Sequence, residues 1–189
     1  MAELKEFYIS GIEKLEYAPA SELGVIAENA WKLIENITEN SVKYTETPLS
    51  KTSLNAEDKD IAPVNFYAPA EGDVLTLGVL ATNPALLADL YYLDYVAATT
   101  TIDFEDTKKI ANLAFRITSR PTNGKKTIRT YFNTEVQTAT DGNQTRTDVE
   151  KKVLTATLKT YTPAGKTKRY THRLQVVNPD GSVLNSTVA

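Results

Sequence analysis

The chain has 189 residues, 41% of them hydrophobic and 24% charged, with a mean hydropathy of -0.32, which is long enough for one domain with a buried core. It holds no cysteine and a single histidine, so a thiolate nucleophile, an iron–sulfur cluster, a disulfide framework and a histidine-built zinc site are all excluded. Net charge is only -3, but residues 1–106 carry 19 acidic and 6 basic side chains, whereas residues 107–189 carry 5 and 15; such a division suits nucleic-acid binding by the basic half, or complementary surfaces on copies of one chain.

The opening MAELKEFYIS lacks the basic start and apolar run of a signal peptide, and no stretch approaches the ~18 apolar residues of a membrane span. The expectation is a protein that stays in the cell that makes it. Leu4 to Tyr17 reads as a strand pair or bent strand interrupted at Gly11. The stretch after Pro19 fits a helix through Val25, Ile26, Ala30, Leu33, Ile34 and Ile37, and a strand through Trp31, Leu33, Glu35 and Ile37. Strand is favoured after Ala30, because Val42 and Tyr44 continue the alternation.

Residues 47–71 show few clear strand or helix signals and contain Pro48, Pro63 and Pro69. A connection this long in a compact domain is uncommon. Leu49, Leu54, Ile61, Val64, Phe66 and Tyr67 are too many apolar groups for a solvated linker, so a partner is expected to cover them.

Leu75, Leu77 and Val79 alternate as a strand over 73–81. Asn83 and Pro84 then start a helix over 84–93, with Leu86, Leu87, Leu90 and Leu93 on one face, a small lid on a β core. VAATTTIDFED is a further strand or extended loop. From Ile110 the pattern is plainly β: Leu113, Phe115 and Ile117 run into PTNGKK, and Ile128, Thr130 and Phe132 return. A second hairpin is expected between 153–161 and 169–177, with Pro179, Asp180 and Gly181 as a last turn.

Each constellation that could carry chemistry falls short. His172 lies in a Lys/Arg-rich strand with no Ser or carboxylate at a known catalytic spacing. Asp141, Asn143 and Thr145 begin like a calcium loop, but Arg146 and Lys152 stand where Gly and Glu are required. The carboxylate groups Glu57, Asp58, Asp60 and Asp103, Glu105, Asp106 have the composition of solvated loops. No phosphate-binding loop or dinucleotide fingerprint occurs, so no cofactor, no metal and no enzymatic activity is expected. Lys and Arg around Tyr131, Tyr161 and Tyr170 could hold nucleic acid by charge and stacking, or simply lie over the tyrosines.

The order of segments, from GIEKLEYAP through AWKLIENITENSVKYTE, a long loop, LTLGVLATN, PALLADLYY, LAFRITSRPTNGKKTIRTYF and VLTATLKTY, resembles the major tail tube proteins of tailed bacteriophages over roughly residues 11–162. The resemblance implies a mainly β single domain, a β-sandwich or open barrel with one short flanking α-helix and a long excursion loop. It also implies hexameric rings stacked into a tube for DNA passage, in a virion tail assembled in the host cytoplasm. Its partners would be copies of itself, other tail proteins such as tape measure, terminator and baseplate components, and DNA in transit, with no membrane insertion. On that reading 47–71 is an inter-subunit loop anchored by its six apolar residues, and Glu57, Asp58 and Asp60 are candidates for an acidic lumen. Residues 163–189 form a C-terminal hairpin strand and tail. The related conduit is the inner tube of a contractile injection system; from another class, a carbohydrate-binding surface β-sandwich fits the composition but normally requires export.

Overall fold

The computed structural model describes residues 11–54, 64–68, 72–80, 84–91, 93, 95–96, 98–99, 101–104, 109–142 and 150–182. The expected strand before Gly11 lies outside them. In chain order the strands are β1 (Ile12–Pro19), β2 (Lys32–Leu33), β3 (Lys43–Thr45), β4 (Ser50–Leu54), β5 (Val64–Ala68), β6 (Val74–Val79), β7 (Tyr95–Val96), β8 (Thr101–Ile102), β9 (Ala111–Ser119), β10 (Lys126–Asp141), β11 (Lys151–Leu158) and β12 (Arg173–Val177). One helix, α1 (Pro84–Tyr91), and a 3-10 turn at Glu28–Ala30 complete the described elements. The fold is mainly β, as the sequence leads one to expect.

Eight strands form one antiparallel sheet in the order β2-β1-β9-β10-β11-β6-β3, with β12 also on β10. The long strand β10 organises it. Residues 126–130 pair with β12 and residues 134–141 with β11, while β9 runs along the other edge with a register shift between Tyr131 and Thr134. Such an irregularity bends a strand and increases its twist, which lets one strand serve two walls.

The two ends of the sheet are brought together by a single segment. Its first part is β2 on β1, and the Ile34 N–H donates to the Leu15 carbonyl (2.9 Å). Its second part crosses to β6: Ile37 bridges Val79, the Thr38 N–H donates to the Gly78 carbonyl (2.8 Å), and β3 pairs with Val74–Thr76. The result is an open barrel whose gap is spanned by residues 34–42. Gly78 makes the crossing sterically feasible, because a Cβ there would stand 2.8 Å from the Cβ of Ser41. The Ser41 hydroxyl instead accepts from the Gly78 N–H (3.1 Å) and donates to the Thr38 carbonyl (2.7 Å).

Alternation along the strands fills the interior. Leu15, Tyr17, Phe115, Tyr131, Leu75, Leu77, Val79, Val136, Leu154 and Ala156 are buried in one core, each large side chain contributing about 1.5–3 kcal/mol by leaving water. Leu86 and Leu90 of α1 join it, but Leu87 and Leu93 are only half-buried, and Ala88 is buried on another side of the helix. The lid is therefore flanked on more than one side, by β9 and β10 and by β7 and β8.

Two expectations are corrected. Residues 47–71 are not without regular structure, since β4 and β5 lie within them. The hairpin between 153–161 and 169–177 does not form: β11 is sandwiched between β10 and β6 and has no free edge, so β12 pairs with β10, and only Tyr161 and Tyr170 bridge across the turn.

Candidate assembly surfaces

The antiparallel pair β4–β5 makes a two-stranded sheet of its own, with Leu54 opposite Val64, Thr52 opposite Phe66 and Lys51 opposite Tyr67. It arises inside another hairpin. Thr45 and Val74 are directly paired, and the Asp73 carboxylate closes the base by accepting from the Tyr44 hydroxyl (2.7 Å) and the Thr47 N–H (3.0 Å). The described strands between Thr47 and Gly72 thus form an arm inserted into a hairpin that is already complete. Of the residues singled out as inter-subunit anchors, Leu49 is 63% exposed at the foot of the arm. Leu54, Val64, Phe66 and Tyr67 lie on its two strands. Ile61 and the acidic candidates Glu57, Asp58 and Asp60 lie outside the described residues.

A two-stranded ribbon with no third strand or packed helix is marginal in water. The arm has neither among the described residues. Other large apolar side chains are also open to solvent: Leu23, Val25, Leu33, Val96, Phe104 and Ile110 are each at least half exposed.

The barrel wall is also secured by charge, between residues far apart along the chain. Glu16 on β1 and Arg116 on β9 are cross-strand neighbours one hundred positions apart, and the Arg116 Nε donates to the Glu16 carboxylate (2.7 Å). The remaining face of that guanidinium forks onto Glu28 (2.8 and 2.7 Å) and lies over the Trp31 ring, 4.6 Å from its centroid. Burial works to raise the Glu16 carboxyl, but Arg116 and Lys14 outweigh it and hold the group below its ordinary range. The cluster pins residues 28–31 to the outside of the sheet. Across the chain, no local pattern marks it.

A cavity of about 710 Å3 opens between the start of β1, the end of β9 and residues 37–44, with Arg120, Arg129, Glu39 and Tyr131 among its lining. His172 is half-buried beside it, between the rings of Tyr44 (5.3 Å) and Tyr131 (5.5 Å), and burial followed by the charge of Arg129 lowers its pKa. Among the described residues no group of three or more His, Asp or Glu side chains is placed to hold a metal ion, and no helix is long and apolar enough to cross a membrane. No protein-family model and no curated protein matches the chain.

Proposed function

We propose that this chain is a structural subunit of a phage tail tube, assembling from identical copies into stacked rings that conduct DNA. The observation that carries the reading is the arm: a β-ribbon that, among the described residues, pairs with nothing but itself, inserted into a closed hairpin of the barrel. A segment that adds no strand to its own sheet is retained at an entropic cost of about 1–2 kcal/mol per ordered residue, which contacts outside the barrel must offset. The same arm falls at the long loop through which the resemblance joins one ring to the next. Exposed Leu49 and the apolar positions 54, 64, 66 and 67 supply the contact area, and the division of charge between the halves favours contacts between unlike surfaces, the kind that build open polymers.

Replacement of residues 48–71 by Asn-Gly tests this. The β3–β6 base supplies its own pairing, so the variant is expected to fold, with a single cooperative urea transition, and to form no tubes by negative-stain microscopy at concentrations where the full chain does. Tubes from the shortened chain, or a full chain that stays monomeric at every concentration, would contradict the proposal.

A further inference from the structure

The strand β9 has nine residues, and at ~3.3 Å per residue its ends are about 26 Å apart. The two ends are chemically opposite. At its start sit α1 and the β7–β8 pair, with Tyr91 edge-on to Phe104 at 5.4 Å. Val96, Phe104 and Ile110 are 51%, 58% and 50% exposed there. Residues 84–106 include five acidic side chains and no Lys or Arg; of these Asp89 is held by Lys32 (2.6 Å) and the Tyr17 hydroxyl (2.9 Å), and Asp94, Glu105 and Asp106 lie outside the described residues. Asp103 is exposed and without an ion pair among the described residues, and Lys109, which adjoins the patch, has a partner already.

At the far end of β9 the chain turns through Thr122–Lys125, where Asn123 and Gly124 have φ of 51° and 70° and two backbone hydrogen bonds (2.8 and 3.1 Å) close the turn. Positive φ at both central residues is the primed hairpin turn whose twist matches its strands, so the tip is stiff. Residues 116–129 include five basic side chains and no acidic one. Arg116 is consumed by Glu16 and Glu28, and Lys126 by Glu13 (2.7 Å). Arg120 and Lys125 have no carboxylate partner among the described residues.

We infer that the basic turn of one copy docks on the apolar patch beside Asp103 of the next, so that Arg120 and Lys125 meet Asp103 while Val96, Phe104 and Ile110 are covered. This rests on the self-assembly proposed above and assigns its polarity: the contact is heterologous and runs along β9. A nucleic acid would engage the basic turn alone and leave the apolar patch in water. A second copy satisfies both ends with one contact, and adding a further copy repeats it.

Charge exchange in trans tests the inference on the full-length protein. Light scattering and negative-stain images locate the concentration at which wild-type polymer appears. R120E/K125E, and separately D103K, are each expected to raise that concentration at least about tenfold at low salt. Mixed one to one, the two variants should assemble near the wild-type concentration, because each reversed surface then finds its opposite. The chain carrying all three changes should do so alone. Phe104→Ser should raise the threshold with little change in its salt dependence. Circular dichroism identifies any variant that fails to fold; R120A/K125A, which introduces no new charge, then carries the test, and an unchanged threshold for it overturns the inference. Wild-type assembly that ignores the reversals, or reversals that mixing does not rescue, overturns the docking and leaves the tube reading standing. So does loss of DNA retention by R120E/K125E with assembly intact. A wild-type chain that never assembles overturns both.

Discussion

The barrel and the arm are both antiparallel β-structure, yet they are held by different means. In the barrel, β9, β10, β11 and β6 have neighbours on both edges, and segment 34–42 spans the gap between the outer strands. The inward residues Leu15, Phe115, Tyr131, Leu77 and Leu154 are wholly removed from water. In the arm, β4 and β5 have only each other among the described residues, and the sequence of β4 places Ser50, Thr52 and Ser53 where strands commonly carry Val or Ile. Backbone pairing is thus common to both regions, while the buried core cluster belongs to the barrel sheet and α1.

The largest change in that comparison comes from damaging the closure. Gly78→Val places two methyl groups against Ser41 where a single Cβ already comes to 2.8 Å, so segment 38–42 must leave the sheet. A loss of about 2–3 kcal/mol, and more if the gap opens, is expected in urea unfolding. An enlargement in the arm at exposed Thr52, Thr52→Ile, should leave the midpoint within about 0.5 kcal/mol. Equal effects at the two sites would mean that the arm belongs to the barrel's cooperative unit.

A smaller effect is expected at the Glu16–Arg116 pair. Glu16→Gln keeps the shape but removes the charge that satisfies the inner edge of the guanidinium, at a cost of about 1–3 kcal/mol at neutral pH. The sign of the pH dependence follows from the depressed folded-state pKa. The carboxylate contributes stability above its ordinary value of 4.5 and loses that contribution as pH falls through the lower folded value. The parent should lose more stability than Glu16→Gln on going from neutral pH into that acid range. Glu28, held down chiefly by its bond to Arg116, has the same sign but is largely exposed. Identical acid profiles for parent and variant would remove Glu16 from the account of the wall.

How much of this could be read in advance divides along the same line. The β9–β10 hairpin was legible because its signals are local: alternation on both sides of Asn-Gly, whose two residues adopt the positive φ that the turn demands. Strand β6 and helix α1 were legible for the same reason, although the helix buries Ala88 and Leu90 on different sides and so departs from a single leucine stripe. Pairings that depend on which edges remain vacant were not. The expected partner of β12 was β11, its neighbour along the chain, and β11 is fully occupied by β10 and β6. The Glu16–Arg116 contact spans one hundred positions and has no spacing by which to find it. Within 47–71 the strands β4 and β5 were not legible, because Ser50, Lys51, Thr52 and Ser53 show no apolar alternation.

The smallest effect on stability should come with the largest effect on assembly, and it lies at Leu49. The side chain is 63% exposed and precedes β4 at the foot of the arm. Replacing it by serine removes little from the monomer's interior, so the urea midpoint should stay within about 0.5 kcal/mol. If a neighbouring copy covers it, serine forfeits burial worth about 25 cal/mol per Å2 of apolar surface, and the concentration needed for polymer rises. Sedimentation of parent and Leu49→Ser across a dilution series reads that shift directly. A shift in the midpoint without a shift in assembly would place Leu49 in its own chain's core, and would return the foot of the arm to the barrel side of the comparison.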